Sequence, residues 1–167
     1  MQRRTLLLMR HAKASPTIAG VSDLARPLLA EGRSAAALVG SFIKREQLAI
    51  DCALSSPAVR ARETIDWVLA AAGLALNVNI DQRLYEGGPQ LLVEVLADVD
   101  NDLRVVLLVG HNPVLEDLVH LLTGERVHLS PGTLAQVDVA ATRWSEVGSA
   151  KNKLRRVVRP KELSKDD

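Results

Sequence analysis

Cysteine is nearly missing from this chain: one residue of 167, Cys52. No internal disulfide can form, so a disulfide-stapled scaffold is excluded. Cys52 stands in an apolar run and reads as a small core residue. Aromatic residues make up only 2%, which leaves almost no platforms on which nucleic-acid bases could stack. Charge of one sign is not in excess either. There are 21 basic and 20 acidic residues, a net charge of +1, so nothing draws the whole molecule to nucleic acid or to a membrane surface. Long hydrophobic runs are missing too. The apolar stretch near the start covers residues 5–9, too short for a signal peptide or a membrane span. A cytoplasmic protein with neither nucleic acid nor membrane as partner is the expectation.

What the chain does have is 47% hydrophobic residues, enough for one ordinary core built from Leu, Val, Ile and Ala. Short apolar runs alternate with helical patterns, which predicts an α/β sandwich with a mostly parallel sheet. Strands are expected over residues 5–9, 49–54, 76–80, 104–109 and 135–140. Helices are expected over residues 28–45, 56–72, 90–99 and 112–122. Leu29, Ala36, Leu38, Val39, Phe42 and Ile43 form the buried face of the first helix. Ser56-Pro57 and Asn112-Pro113 read as a cap followed by a first-turn proline. Gly73 and Gly124 read as stops. Residues 12–27 and 81–89 read as loops. Residues 142–147 are a candidate to pair with the last strand. The tail, residues 151–167, holds seven basic and three acidic residues and reads as a solvated end, with residues 154–158 as an alternative edge strand. The division is one folded domain over residues 1–150 and a basic tail over 151–167.

Three of these strands deliver basic residues at their carboxyl ends, where ligands bind in an open parallel sheet. The first ends in Arg10-His11, the second leads to Arg60, and the fourth leads to His111. The helices after the second and fourth strands aim their amino ends, with unpaired N–H groups, at the same edge. Two arginines and two histidines around one spot suit a phosphoryl group. A guanidinium grips phosphate with two parallel hydrogen bonds, and an imidazole is a competent nucleophile. Thr64 shares a helix face with Arg60, whereas Arg62 falls about 200° round the helix and points elsewhere.

Leu8-Met9-Arg10-His11, Arg26-Pro27-Leu28, residues 56–64, Leu84-Tyr85-Glu86 and Val109-Gly110-His111-Asn112-Pro113 together resemble the histidine phosphatase superfamily. Within it they are most similar to the small SixA-type phosphohistidine phosphatases. Ala12 replaces the glycine of the broad Arg-His-Gly signature, a departure common in SixA-like chains. The resemblance implies a phosphoglycerate-mutase-like three-layer sandwich without a large helical insert. It implies His11 as the nucleophile that carries the phosphoryl group, with Arg10, Arg60 and His111 holding its oxygens. No cofactor and no metal is implied. Arg26 either contacts phosphate or fixes the long first loop. Glu86 falls where larger relatives place a proton donor, and reads equally as a solvent-facing loop residue.

A nucleophilic imidazole must be neutral. Its ordinary pKa of about 6.5 should drop beside guanidinium groups, and its second ring nitrogen needs an acceptor, expected to be a backbone carbonyl. Activity should then fall in acid. The leading functional expectation is a phosphatase acting on phosphohistidine in a protein partner. A phosphatase of a small phosphorylated compound, and a phosphoprotein-binding module without catalysis, are the alternatives. The short stretch between Arg60 and His111 has no room for an insert, so an open site that receives a protein side chain is expected. His120 and His128 read as surface groups.

Overall fold

Leu6, Leu7, Leu8 and Met9 are all fully buried, because the strand that carries them is covered on both faces. The computed structural model describes residues 3–164. Its strands are β1 (Arg4–Arg10), β2 (Cys52–Ser55), β3 (Val78–Ile80), β4 (Val105–Gly110), β5 (Leu134–Val139) and β6 (Lys153–Val158). They form one sheet in the order β3-β2-β4-β1-β5-β6. The pairs from β3 to β1 are parallel, and β5 runs antiparallel to both β1 and β6. Side chains alternate between faces along each strand. Leu6, Leu8, Val106 and Leu108 therefore join one core cluster, and Leu7, Met9, Leu107 and Val109 join the other.

The helices are α1 (Ala30–Arg45), α2 (Val59–Ala72), α3 (Arg83–Glu86), α4 (Pro89–Ala97), α5 (Val114–Thr123) and α6 (Pro160–Leu163). Helices α1 and α2 cover one face, with Val39, Phe42, Ile43, Ile65 and Val68 inward. Helices α4 and α5 cover the other, with Leu92, Leu96, Leu115 and Leu118 inward. The result is the expected three-layer sandwich, with no large helical insert.

Several expectations need correction. Helix α2 begins three residues after the proposed serine cap: Ser56 Oγ accepts the Ala58 N–H at 3.2 Å, and Val59 is the first helical residue. The cap of α5 is Pro113 rather than Asn112, whose amide instead donates to Glu116 and to the Leu129 carbonyl. Leu29 and Leu38 are only half-buried; the inward face of α1 uses Gly32 and Gly40 in their place. The loop over 81–89 contains α3. The loop over 12–27 contains the 3-10 turn Asp23–Ala25. Residues 142–147 do not pair with β5. They hold a 3-10 turn, Trp144–Glu146, because the Trp144 indole is drawn fully into the core and donates to the Leu103 carbonyl at 2.8 Å. The outer partner of β5 is β6, so residues 153–158 of the basic tail form an edge strand, and α6 follows it. Residues 165–167 lie outside the described residues.

Close backbone approach sets the top of the sheet. A side chain on Gly32 would meet the Lys13 carbonyl oxygen at 2.2 Å. Only glycine lets the first turn of α1 rest on the segment that follows β1.

Candidate active site

Strand register brings the two histidines together. Arg10 pairs with Gly110 across β1 and β4, and the His11 N–H continues that ladder to the Gly110 carbonyl at 3.0 Å. His11 and His111 are thus the next residues on two adjacent parallel strands. Their ring centroids are 5.2 Å apart and the rings are tilted by 55°. On the other side of β4, the Ser56 N–H binds the Val109 carbonyl at 3.1 Å, which sets Ser56 beside His111. Arg60 lies in the first turn of α2 and is 5% exposed. Thr64, one turn on and fully buried, accepts the Ala12 N–H at 3.0 Å and donates to the Arg60 carbonyl at 2.6 Å. That side chain ties the end of β1 to the turn that carries Arg60.

Each imidazole has a defined tautomer. His11 Nδ1 is 2.8 Å from the Ala12 carbonyl oxygen. A carbonyl only accepts, so the ring proton sits on Nδ1 and Nε2 keeps its lone pair. His111 Nδ1 lies 3.4 Å from Arg60 Nη2, which only donates. The His111 proton therefore sits on Nε2 and points to Ser56 Oγ at 2.8 Å. The field of the site favours neutral rings. Burial foremost, then the nearby Arg60, Arg10 and Arg26, push His11 down to about 4 against the pull of the Ala12 carbonyl. Burial, then His11 and Arg60, push His111 down to about 3.

Arg10 and Arg60 each bury an Nε–H that has no hydrogen-bond partner. Buried donors of this kind are rare, and an unpaired one costs about 1–3 kcal/mol. Both guanidinium groups act on the two imidazoles, and a pair of free donors there is chemically suited to a compact oxyanion. Arg10 is steadied by donating from Nη1 to the Leu129 carbonyl at 3.1 Å. The turn below it is fixed by Gly132, whose N–H reaches the carbonyls of Arg10 and His11 and whose φ of +81° suits glycine.

Arg26 donates to the Ser15 carbonyl at 2.6 Å and to Asp23 Oδ1 at 2.9 and 3.0 Å. Of its two expected roles, these contacts are those of a residue that fixes the first loop. Glu86 is not brought into the cluster: it is exposed and accepts from Gln82 at 3.0 Å. One turn of α3 turns the neighbouring Tyr85 inward instead, edge-on to His111 at 5.5 Å. Asp23, Tyr85 and the Ser56 hydroxyl are the residues of this neighbourhood that sequence reasoning missed. For Asp23 a signal existed, an acid three positions before Arg26 in a one-turn spacing. Among the described residues, no group of three or more His, Cys, Asp or Glu stands close enough to hold a metal ion. No described helix is long and apolar enough to cross a membrane.

Residues 6–88 match the family model of the histidine phosphatase superfamily (branch 1). The phosphohistidine phosphatase SixA homolog of Haemophilus influenzae is 32% identical over 147 residues, which covers 79% of this chain and 86% of that protein. Among solved structures, one from Nakamurella multipartitia with a provisional SixA phosphohistidine-phosphatase name superposes with a TM-score of 0.85. It is 31% identical, and the match covers 96% of this chain and 98% of that one. The fold is also that of a protein histidine phosphatase SixA complexed with tungstate, with a TM-score of 0.83 at 24% identity over 95% of this chain and 99% of the other. The chain belongs to the histidine phosphatase superfamily, a family of hydrolases. Its place within that family is the SixA-like branch.

Proposed function

We propose that this chain is a phosphatase that works through a phosphohistidine on His11 and removes phosphate from a histidine of a protein partner. One observation carries the reading: His11 Nε2 keeps a free lone pair near two arginines, Arg10 and Arg60, whose buried Nε–H groups are unpartnered. In the first step the Nε2 lone pair attacks phosphorus. The bond from phosphorus to the leaving nitrogen breaks, and the leaving imidazole, protonated on its far nitrogen, departs neutral. In the second step water attacks the phosphorus on His11. The phosphorus–Nε2 bond breaks, one proton of the water passes to solvent, and inorganic phosphate leaves. Arg10 and Arg60 supply the positive charge that the transferring oxygens need. A bound dianion opposes the field of the arginines, so His111 takes a proton from solvent on Nδ1 and hydrogen-bonds a phosphoryl oxygen, while the Arg60 Nη2 hydrogen that faced Nδ1 turns to the phosphoryl group.

A protein substrate is supported by the short path from Arg60 to His111, which the rest of α2, β3, α3, α4 and β4 fill. No insert roofs the histidines, which are half-buried. Cytoplasmic residence is part of the same proposal. The test compares wild type with His11→Ala on para-nitrophenyl phosphate and on a phosphohistidine peptide, in chelator. Phosphate release should fall by about a thousandfold or more in the variant, and an acid-labile phosphoryl group should be trapped on wild type alone. Turnover that survives His11→Ala would end the proposal. Preference for a small phosphate ester over the peptide would move the substrate to a small phosphorylated compound.

A further inference from the structure

Asp23 is the most heavily bonded side chain near the site, and the steps above do not use it. Its Oδ2 accepts from Arg60 Nη2 at 3.0 Å and from the Tyr85 hydroxyl at 2.8 Å. Its Oδ1 takes both hydrogen bonds from Arg26. Its main-chain carbonyl accepts from Arg60 Nη1 at 2.7 Å. Three segments distant in sequence thus meet on one residue of a 3-10 turn.

The hydrogen-bond inventory of Arg60 shows what this does. A guanidinium has five N–H groups in a plane. Asp23 alone takes one from Nη1 and one from Nη2, the far end of the fork. The Nε–H remains, buried and unpartnered, and the second Nη2 hydrogen lies beside His111. Nε–H and Nη2–H share one side of the plane, the side that grips two oxygens of a phosphoryl group. Two contacts to a single residue, one through its backbone and one through its carboxylate, fix both the position and the rotation of that plane.

We propose that Asp23 is a positioning residue: it holds the outer end of the Arg60 fork so that the Nε–Nη2 side faces the phosphoryl group, while Arg26 and Tyr85 hold Asp23. The inference rests on the phosphoryl-binding role of Arg60 proposed above. Asp23 binds the end of the fork rather than its side, so an oxyanion need not displace it. Its carboxyl is held far below the usual carboxylate range, first by the Tyr85 hydroxyl and then by Arg26 and Arg60, and it stays ionised wherever the enzyme would work.

Tungstate is the probe, because its binding requires no turnover and tests the hold on Arg60 separately from the chemistry at His11. Asp23→Ala should weaken tungstate binding about tenfold, and should lower kcat and raise KM for para-nitrophenyl phosphate together, since a small misplacement of a clamp costs both. The thermal midpoint is measured alongside. Asp23→Asn keeps an oxygen for Arg60 Nη2 and should recover most of the affinity. Tyr85→Phe, which removes one hold on Asp23, should move affinity in the same direction by about two- to fivefold. Tungstate bound as tightly by Asp23→Ala as by wild type, or more tightly, would overturn the proposal; tighter binding would show that Asp23 competes for Arg60. If Asp23→Ala does not fold, unchanged affinity in both Asp23→Asn and Tyr85→Phe would overturn it instead. Intact tungstate binding in all variants of a chain that releases no phosphate would count against the phosphatase reading and this one together. Binding lost in Asp23→Ala of such a chain would keep this one.

Discussion

His11 is neutral because burial and three neighbouring guanidinium groups act in the same direction. His111 is neutral for the same reason, with His11 itself among the causes. The consequence reaches beyond catalysis. In the unfolded chain both rings take up protons as pH falls through about 6.5. In the folded chain they resist until about 4 and about 3. Between those limits the unfolded state binds more protons, so stability is full above about 6.5 and is lost as pH falls toward 4. Thermal unfolding midpoints followed from neutral pH to about pH 4 should decline in the wild type and decline less steeply in the double variant His11→Asn, His111→Asn. Equal slopes would place the acid sensitivity elsewhere. At Glu86 the expected outcome is different. Its carboxylate is exposed and bonded to Gln82, so Glu86→Gln should leave turnover of an aryl phosphate unchanged, and a loss of tenfold or more would restore it as a proton donor.

At the scale of elements, the site depends on how β1 and α2 are joined. The Ala12 N–H would otherwise be a buried donor without a partner, and Thr64 supplies the oxygen. Thr64→Val keeps the shape and removes the oxygen. It should cost about 1–3 kcal/mol by denaturant unfolding and lower kcat/KM as well, because the same hydroxyl holds the Arg60 turn. Full stability in this variant would show that the strand end is held by other contacts. Periodicity made β1, β4, α1 and α5 legible, since long one-face patterns have few alternative readings. Short elements were less so. The turn Asp23–Ala25 and α3 each span one turn or less. They are joined by the Tyr85 hydroxyl, which donates to Asp23 across 62 positions, and no local pattern encodes such a bond.

For the whole molecule, the carboxyl-terminal segment has a larger part than its charge suggested. Strand β6 covers one side of β5, and Val158 is buried in the cluster beneath α1 and α2. A chain shortened to end at Gly148 would expose the backbone of β5 as an open edge, a template for association with other chains. The expected outcome is a protein that aggregates or loses its cooperative thermal transition. A soluble, cooperatively folding truncated chain would show β6 to be dispensable. The one-dimensional chain by itself determined the alternation of strands and helices, the apolar two-faced strands, and the basic residues placed after β1, β2 and β4, because these follow from local periodicity and from the rule that parallel strands present their carboxyl ends together. Only the tertiary structure decided which nitrogen of each imidazole is free, that Arg26 bonds to Ser15 and Asp23, that Tyr85 rather than Glu86 faces inward, and that Asp23 grips Arg60. Those outcomes depend on which donors meet which acceptors once distant segments are packed, and a hydrogen bond of about 3 Å between segments has no trace in the spacing of either one.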